Sequence, residues 1–143
     1  MMRPQELFHF IIVEDSKLDA FIAEKILENF RSVYLSLEVF LDPQEALKAI
    51  LSKEVSKNRT IVFLDIQMPL MNGFEFIESF EKQASPEMYS GFVINMLSSS
   101  IDARDVIKAK SYRSVNVFLN KPLRRELVQN MLDDLESKNN ETS

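Results

Sequence analysis

The sequence predicts an α/β domain built on a five-stranded, doubly wound parallel sheet. Two observations carry that reading. Five short apolar runs, at 7–13, 33–40, 61–64, 91–97 and 115–119, alternate with stretches whose apolar residues recur at helical spacing. Most of these runs lack polar alternation, the mark of strands covered on both faces, and each breaks off at polar, Pro or Gly punctuation.

The first run stops at Glu14-Asp15, and Ser16 can cap the helix that follows, with Asp19 completing a capping box. Leu18, Phe21, Ile22, Ile26 and Phe30 follow a helical stripe. The run at 33–40 alternates Val33, Leu35, Leu37 and Val39 with more polar neighbours, so it reads as a less buried strand. Asp42-Pro43 starts the second helix, with an N-cap followed by Pro in the first turn, and Ala46, Leu47, Ile50 and Leu51 supply its buried face. Polar residues 52–60 loop back to the central strand, which runs into Asp65 and ends in a loop punctuated by Pro69 and Gly73. Phe74, Ile77 and Phe80 mark a third helix that ends before Ser85-Pro86. The fourth strand stops at Ser98-Ser99-Ser100, and a short polar helix over 102–112 carries Val106, Ile107 and Ala109. The fifth strand ends at Asn120-Lys121-Pro122, and Leu123, Leu127, Met131 and Leu135 give the final helix. The expected organisation is one domain over 1–143, with a core from about 7 to 136 and a frayed polar tail at 137–143.

Composition narrows the function classes. A net charge of −5 without a run of Lys or Arg argues against a nucleic-acid surface. The apolar runs are far too short to span a bilayer, and the first residues lack the basic and apolar regions of a signal peptide. With no cysteine there is neither a disulfide nor thiolate chemistry, and the expected compartment is the cytoplasm. His9 lies inside an apolar strand with no second histidine to build a site, so it reads as a structural residue.

In a doubly wound sheet the carboxyl ends of all parallel strands share one edge, where such sheets place their ligands. That edge collects Glu14-Asp15, Asp65, Ser98 and Lys121, each directly after an apolar strand. Three clustered carboxylates repel one another and take up protons unless a cation sits among them. With oxygen donors and no His or Cys nearby, the set suits a hard ion such as Mg²⁺. Mg²⁺ and a lysine ammonium together can neutralise a phosphoryl group, for which Asp65 is placed as nucleophile and Ser98 as hydrogen-bond donor.

These residues resemble the receiver domain of two-component response regulators, from near residue 7 to residue 136. The likeness rests on Glu14-Asp15, on the stretch from Leu64 to Gly73 around Asp65, on Leu97-Ser98-Ser99, and on Lys121-Pro122. It implies a flavodoxin-like (βα)5 fold with strand order 2-1-3-4-5. It implies phosphorylation of Asp65 by a phosphohistidine of a sensor histidine kinase or histidine phosphotransfer protein. It further implies Mg²⁺ held by Asp15, Asp65 and the Gln67 carbonyl, with Glu14 adjoining directly or through water, and a cis Lys121–Pro122 bond. By the same likeness Ser98 and Phe118 form the conformational switch, and Gln67 and Ser100 influence phosphoryl hydrolysis.

Departures from the family pattern leave the phosphorylation chemistry intact. Glu14 stands where Asp is usual, Ser98 where Thr is commoner, Phe118 where Tyr is frequent, and no glycine precedes the fifth strand. An aspartate-nucleophile phosphatase is the competing class, but it needs an acidic residue two places after the nucleophile, and Gln67 stands there. A degenerate receiver acting only as a binding module is a third, against which Asp65 and Lys121 are both present. Too few residues follow the last helix for an output domain. The expectation is therefore a stand-alone signalling domain, not an enzyme, that acts by contact with a downstream protein or by onward phosphotransfer.

Overall fold

The computed structural model describes residues 5–54 and 56–141. Its five strands are β1 (Phe8–Val13), β2 (Tyr34–Phe40), β3 (Thr60–Asp65), β4 (Phe92–Ser98) and β5 (Val115–Asn120). All pair in parallel in the order β2-β1-β3-β4-β5, as the doubly wound reading requires. The helices are α1 (Lys17–Leu27), extended by a 3-10 turn at Glu28–Phe30, α2 (Pro43–Leu51), α3 (Gly73–Gln83), α4 (Pro86–Ser90), α5 (Ala103–Lys110) and α6 (Arg125–Glu141).

Alternation along each strand divides the core into two layers. Phe10, Ile12, Ile61, Phe63, Val93 and Leu97 pack with α1 and α6 residues such as Leu27, Val128 and Met131. Ile11, Val13, Val62, Leu64, Ile94 and Met96 face the other way, onto α2, α3 and α5 through Ile50, Phe76, Phe80 and Ala109. A strand with helices on both sides has no solvent face, which is why its sequence reads as an unbroken apolar run. β2, at one edge, is only partly buried along its length, as its alternating sequence predicts.

Three local expectations need correcting. In α1, Leu18 and Phe21 are 67% and 55% exposed, and the fully buried positions are Ala20, Ala23 and Leu27. Small residues let the helix lie close on the sheet, so the large apolar residues at the same spacing turn outward. α3 ends before Ser85-Pro86 as expected, but these residues also open a short helix, α4, that the expected element order lacks, with the Ser85 side chain accepting from Met88 N and Pro in the first turn. Ser16 caps α1 by accepting from Asp19 N at 3.3 Å, as expected, but the Asp19 carboxylate turns to Lys121 and completes no box. The last helix, α6, continues through Glu141, and residues 142–143 of the expected tail lie outside the described residues.

Other expectations hold. Asp42 caps α2 through Gln44 N at 2.8 Å. His9 is structural, its Nδ1 paired with the Ser36 hydroxyl at 2.7 Å. Where the fifth strand lacks a preceding glycine, side chains of α3 secure the turn: Glu78 accepts from the Tyr112 hydroxyl, and Glu81 accepts from Ser114 N and Oγ. The register of β4 against β5 slips between Ile94 and Asn95, leaving Asn116 as an extra residue whose Nδ2 donates to the buried Asn95 Oδ1 at 3.0 Å.

Candidate functional site

Parallel pairing brings four strand ends to one edge. Glu14 N donates to Phe40 O at 3.0 Å, continuing the ladder one residue past β1. Asp65 is the last residue of β3 and Ser98 the last of β4, and Lys121 N donates to Ser98 O at 2.8 Å just past β5. Glu14, Asp65 and Ser98 are all but fully buried, while Asp15 is exposed.

The loop after Asp65 is held by α3. Asn72 and Glu75 form a reciprocal capping box, and Gly73 N donates to Ile66 O at 2.9 Å. A Cβ on Gly73 would stand 2.9 Å from Asp65 O, 3.0 Å from Ile66 Cα and 3.1 Å from the Met96 methyl. Only glycine lets the first turn of α3 close this tightly on the backbone that carries Asp65.

Lys121 is the electrostatic centre. Its ammonium pairs with Glu14, with Asp19 Oδ2 at 3.0 Å and with Asp65 Oδ1 at 3.1 Å. Burial alone would lower its pKa, but the bonds to Glu14 and Asp19 and the charges of Asp65 and Glu14 hold it above the ordinary lysine value. The Glu14 carboxyl is pushed up to about 7, chiefly by burial. The Lys121 bond and the Ser16 N–H at 3.1 Å pull the other way, and the Asp65 charge adds to the rise. One ammonium thus faces more negative charge than it can neutralise.

That imbalance and the donor set fit a hard divalent cation. Glu14, Asp15 and Asp65 each offer a carboxylate oxygen, all within 4.8 Å of one another. All-oxygen donors, one of them open to solvent, suit an ion that keeps part of its water shell. Gln67, from which the sequence expects a backbone ligand, is an exposed residue two places past Asp65.

The two switch candidates have partners other than the carboxylates. The Ser98 hydroxyl donates to Ser100 O at 2.7 Å and accepts from Ser100 N at 3.2 Å, so it is engaged with its own loop. Phe118 is half-buried against the α2–α3–α5 layer, in register with Met96. The Lys121–Pro122 bond is cis.

Sequence reasoning missed Asp19 as a site residue. A signal was present: Asp19 follows Asp15 by four residues, one helical turn, and helical side chains tilt toward the N-terminus, here toward the strand ends.

A family model described as the response regulator receiver domain matches residues 10–133. A response regulator receiver protein from Dyadobacter fermentans is 31% identical, with a TM-score of 0.80, covering 89% of this chain and 96% of its own. A two-component response regulator from Cytophaga hutchinsonii superposes with a TM-score of 0.79 at 24% identity, covering 92% of this chain and 98% of that one. A chain from the co-crystal of the Saccharomyces cerevisiae histidine phosphotransfer protein Ypd1 with the receiver domain of its downstream response regulator Ssk1 gives a TM-score of 0.65 at 22% identity, over 89% of this chain and 87% of that one. No curated protein matches the sequence. Among the described residues no helix is long and apolar enough to cross a membrane. On the family match and the Dyadobacter relative together, the chain belongs to the response regulator receiver domains of two-component signalling, which are signalling domains and not classical enzymes.

Proposed function

We propose that Asp65 accepts a phosphoryl group from a phosphohistidine on a sensor histidine kinase or histidine phosphotransfer protein. The observation that carries the reading is a buried Asp65 carboxylate 3.1 Å from the Lys121 ammonium, within 4.8 Å of donor oxygens from Glu14 and Asp15. An Asp65 oxygen attacks phosphorus, and the new O–P bond forms as the P–N bond to the donor imidazole breaks, leaving its electron pair on the ring nitrogen. Mg²⁺, held by Asp15, Asp65 and the Gln67 carbonyl with Glu14 adjoining, would supply positive charge against the phosphoryl oxygens. Lys121 supplies the second positive group from just past β5, two strands away from β3.

Ser98 then exchanges its bond to Ser100 O for one to a phosphoryl oxygen, drawing the 98–100 loop toward Asp65. Phe118, half-buried beside that loop's strand, turns inward into the space released. The surface that changes lies on α5, β5 and α6, and it contacts a downstream protein. The whole cycle runs in the cytoplasm, with self-catalysed phosphorylation and dephosphorylation and no nucleic acid or membrane as partner. The co-crystal of Ypd1 with a receiver domain supports a phosphotransfer protein as one class of donor.

Intact-mass measurement after incubation with phosphoramidate and Mg²⁺ tests the assignment. One acid- and base-labile phosphoryl group is expected on the wild type and none on Asp65→Asn. Equal labelling of both proteins would remove Asp65 as the acceptor.

A further inference from the structure

Lys121 has three carboxylate partners, and they are not equivalent. Glu14 and Asp65 belong to the cluster that fits a divalent cation, and Asp19 does not. Glu14 and Asp65 side chains are 2% and 5% exposed, whereas Asp19, in the first turn of α1, is 42% exposed. Ammonium and divalent cation therefore call on the same two buried carboxylates. Each weakens the other's hold unless the ammonium has a counter-charge of its own.

Asp19 is placed to be that counter-charge. Its Oδ2 accepts from Nζ at 3.0 Å across 102 residues of sequence, bridging α1 to the segment after β5. Being half in water, it can hold or release the ammonium at small desolvation cost, which the buried pair cannot. An ammonium has three protons to donate, and Asp19 takes one without touching the cation's donors.

We infer that Asp19 is a positioning residue for Lys121, drawing the ammonium toward α1 so that Glu14 and Asp65 remain free to take a divalent cation. The inference rests on the cation site proposed above and adds a residue to it that acts only through Lys121. It separates Asp19 from a carboxylate that merely contributes negative field: a field acts whether or not Lys121 is present, a positioning role does not.

A double-mutant cycle distinguishes the two. Mg²⁺ is titrated into ¹⁵N-labelled wild type, Asp19→Asn, Asp19→Glu, Lys121→Met and Asp19→Asn/Lys121→Met, reading backbone amide shifts around Asp65. Asp19→Asn is expected to weaken Mg²⁺ by about fivefold or more, within the coupling range of residues in contact. Asp19→Glu is expected to recover most of that loss. In the Lys121→Met background the same Asp19→Asn change is expected to shift the affinity by less than about twofold. Before any Mg²⁺ is added, the Lys121 side-chain Cε–Hε resonance should already differ between wild type and Asp19→Asn. Lys121→Gln gives an equivalent cycle should the Met variant fold poorly. Equal weakening by Asp19→Asn in both backgrounds, or none in either, overturns the inference while leaving the cation site standing. A wild type that shows no saturable Mg²⁺ response takes down the cation site and the inference together.

Discussion

β3 carries Asp65 and β5 leads into Lys121, and the two strands are built to different standards. Every residue of β3 from Thr60 to Asp65 is buried, and β1 and β4 pair with it on either side. β5 is fully buried only at Leu119, pairs with β4 alone, and slips register at Asn116. The carboxylate proposed to react is therefore anchored in the part of the molecule that is costliest to deform. Lys121 and Phe118, which are proposed to respond to the new charge, hang on a strand with half a hydrogen-bond ladder and a partly wet surface. Local stability is not uniform in a fold, and responsive elements are drawn from its weaker end. The contrast teaches that rigid anchoring and room to move are given to different strands of one sheet, which is the division of labour the proposed switch requires.

Core truncation probes that contrast most strongly. Phe63→Ala, at the centre of β3, is expected to lose about 3–5 kcal/mol of stability. Val117→Ala, at the half-buried middle of β5, is expected to lose roughly 1 kcal/mol. Urea denaturation measures both, and equal losses would erase the distinction. An effect smaller than that of Phe63→Ala is expected from Gly73→Ala, where the added methyl meets the Asp65 carbonyl and the cost is about 1–3 kcal/mol. Thermal unfolding reads that cost, and an unshifted midpoint would mean that α3 can back away from β3. Sharpest for the comparison, though modest in stability, is Ser98→Ala, expected to cost about 1–3 kcal/mol because both hydrogen bonds to Ser100 within its own loop are lost. It should still take a phosphoryl group at Asp65. NMR with beryllofluoride as the phosphoryl mimic should show most of the response over residues 98–123 gone. Identical mimic-induced shifts in Ser98→Ala and wild type would break the link between the two strands.

The sheet was legible because a strand covered on both faces has no choice but to be apolar, and the runs ending at Val13, Leu64 and Leu97 are of that kind. The placement of the candidate site was legible because strand ends in a parallel sheet share one edge, so the sequence puts Glu14, Asp15, Asp65, Ser98 and Lys121 along that edge. What escaped reading depended on distances between elements. Leu18 and Phe21 have the spacing of a buried stripe, yet the approach of α1 to the sheet is set by Ala20 and Ala23. Asp19 has the position of a capping-box residue, and only the location of Lys121, far along the chain, decides that its side chain goes elsewhere. Pro86 carries the same local signal whether it stops one helix or starts another, and here it starts α4.

The ion pairs of Lys121 also fix when the site can exist. Asp19 and Lys121 are 102 residues apart, so at synthesis rates of 5–20 residues per second the carboxylates of the first strand and helix emerge about 5–20 s before the ammonium that balances them. Until the fifth strand joins the sheet, Glu14 and Asp65 would have to be buried side by side without Lys121, a like-charge pairing that favours taking up a proton over carrying two charges. The charge balance of this edge is thus completed only once the fifth strand is in place. A partly made chain would carry Asp65 without that charge balance, so the phosphoryl chemistry proposed for Asp65 would have to wait for Lys121.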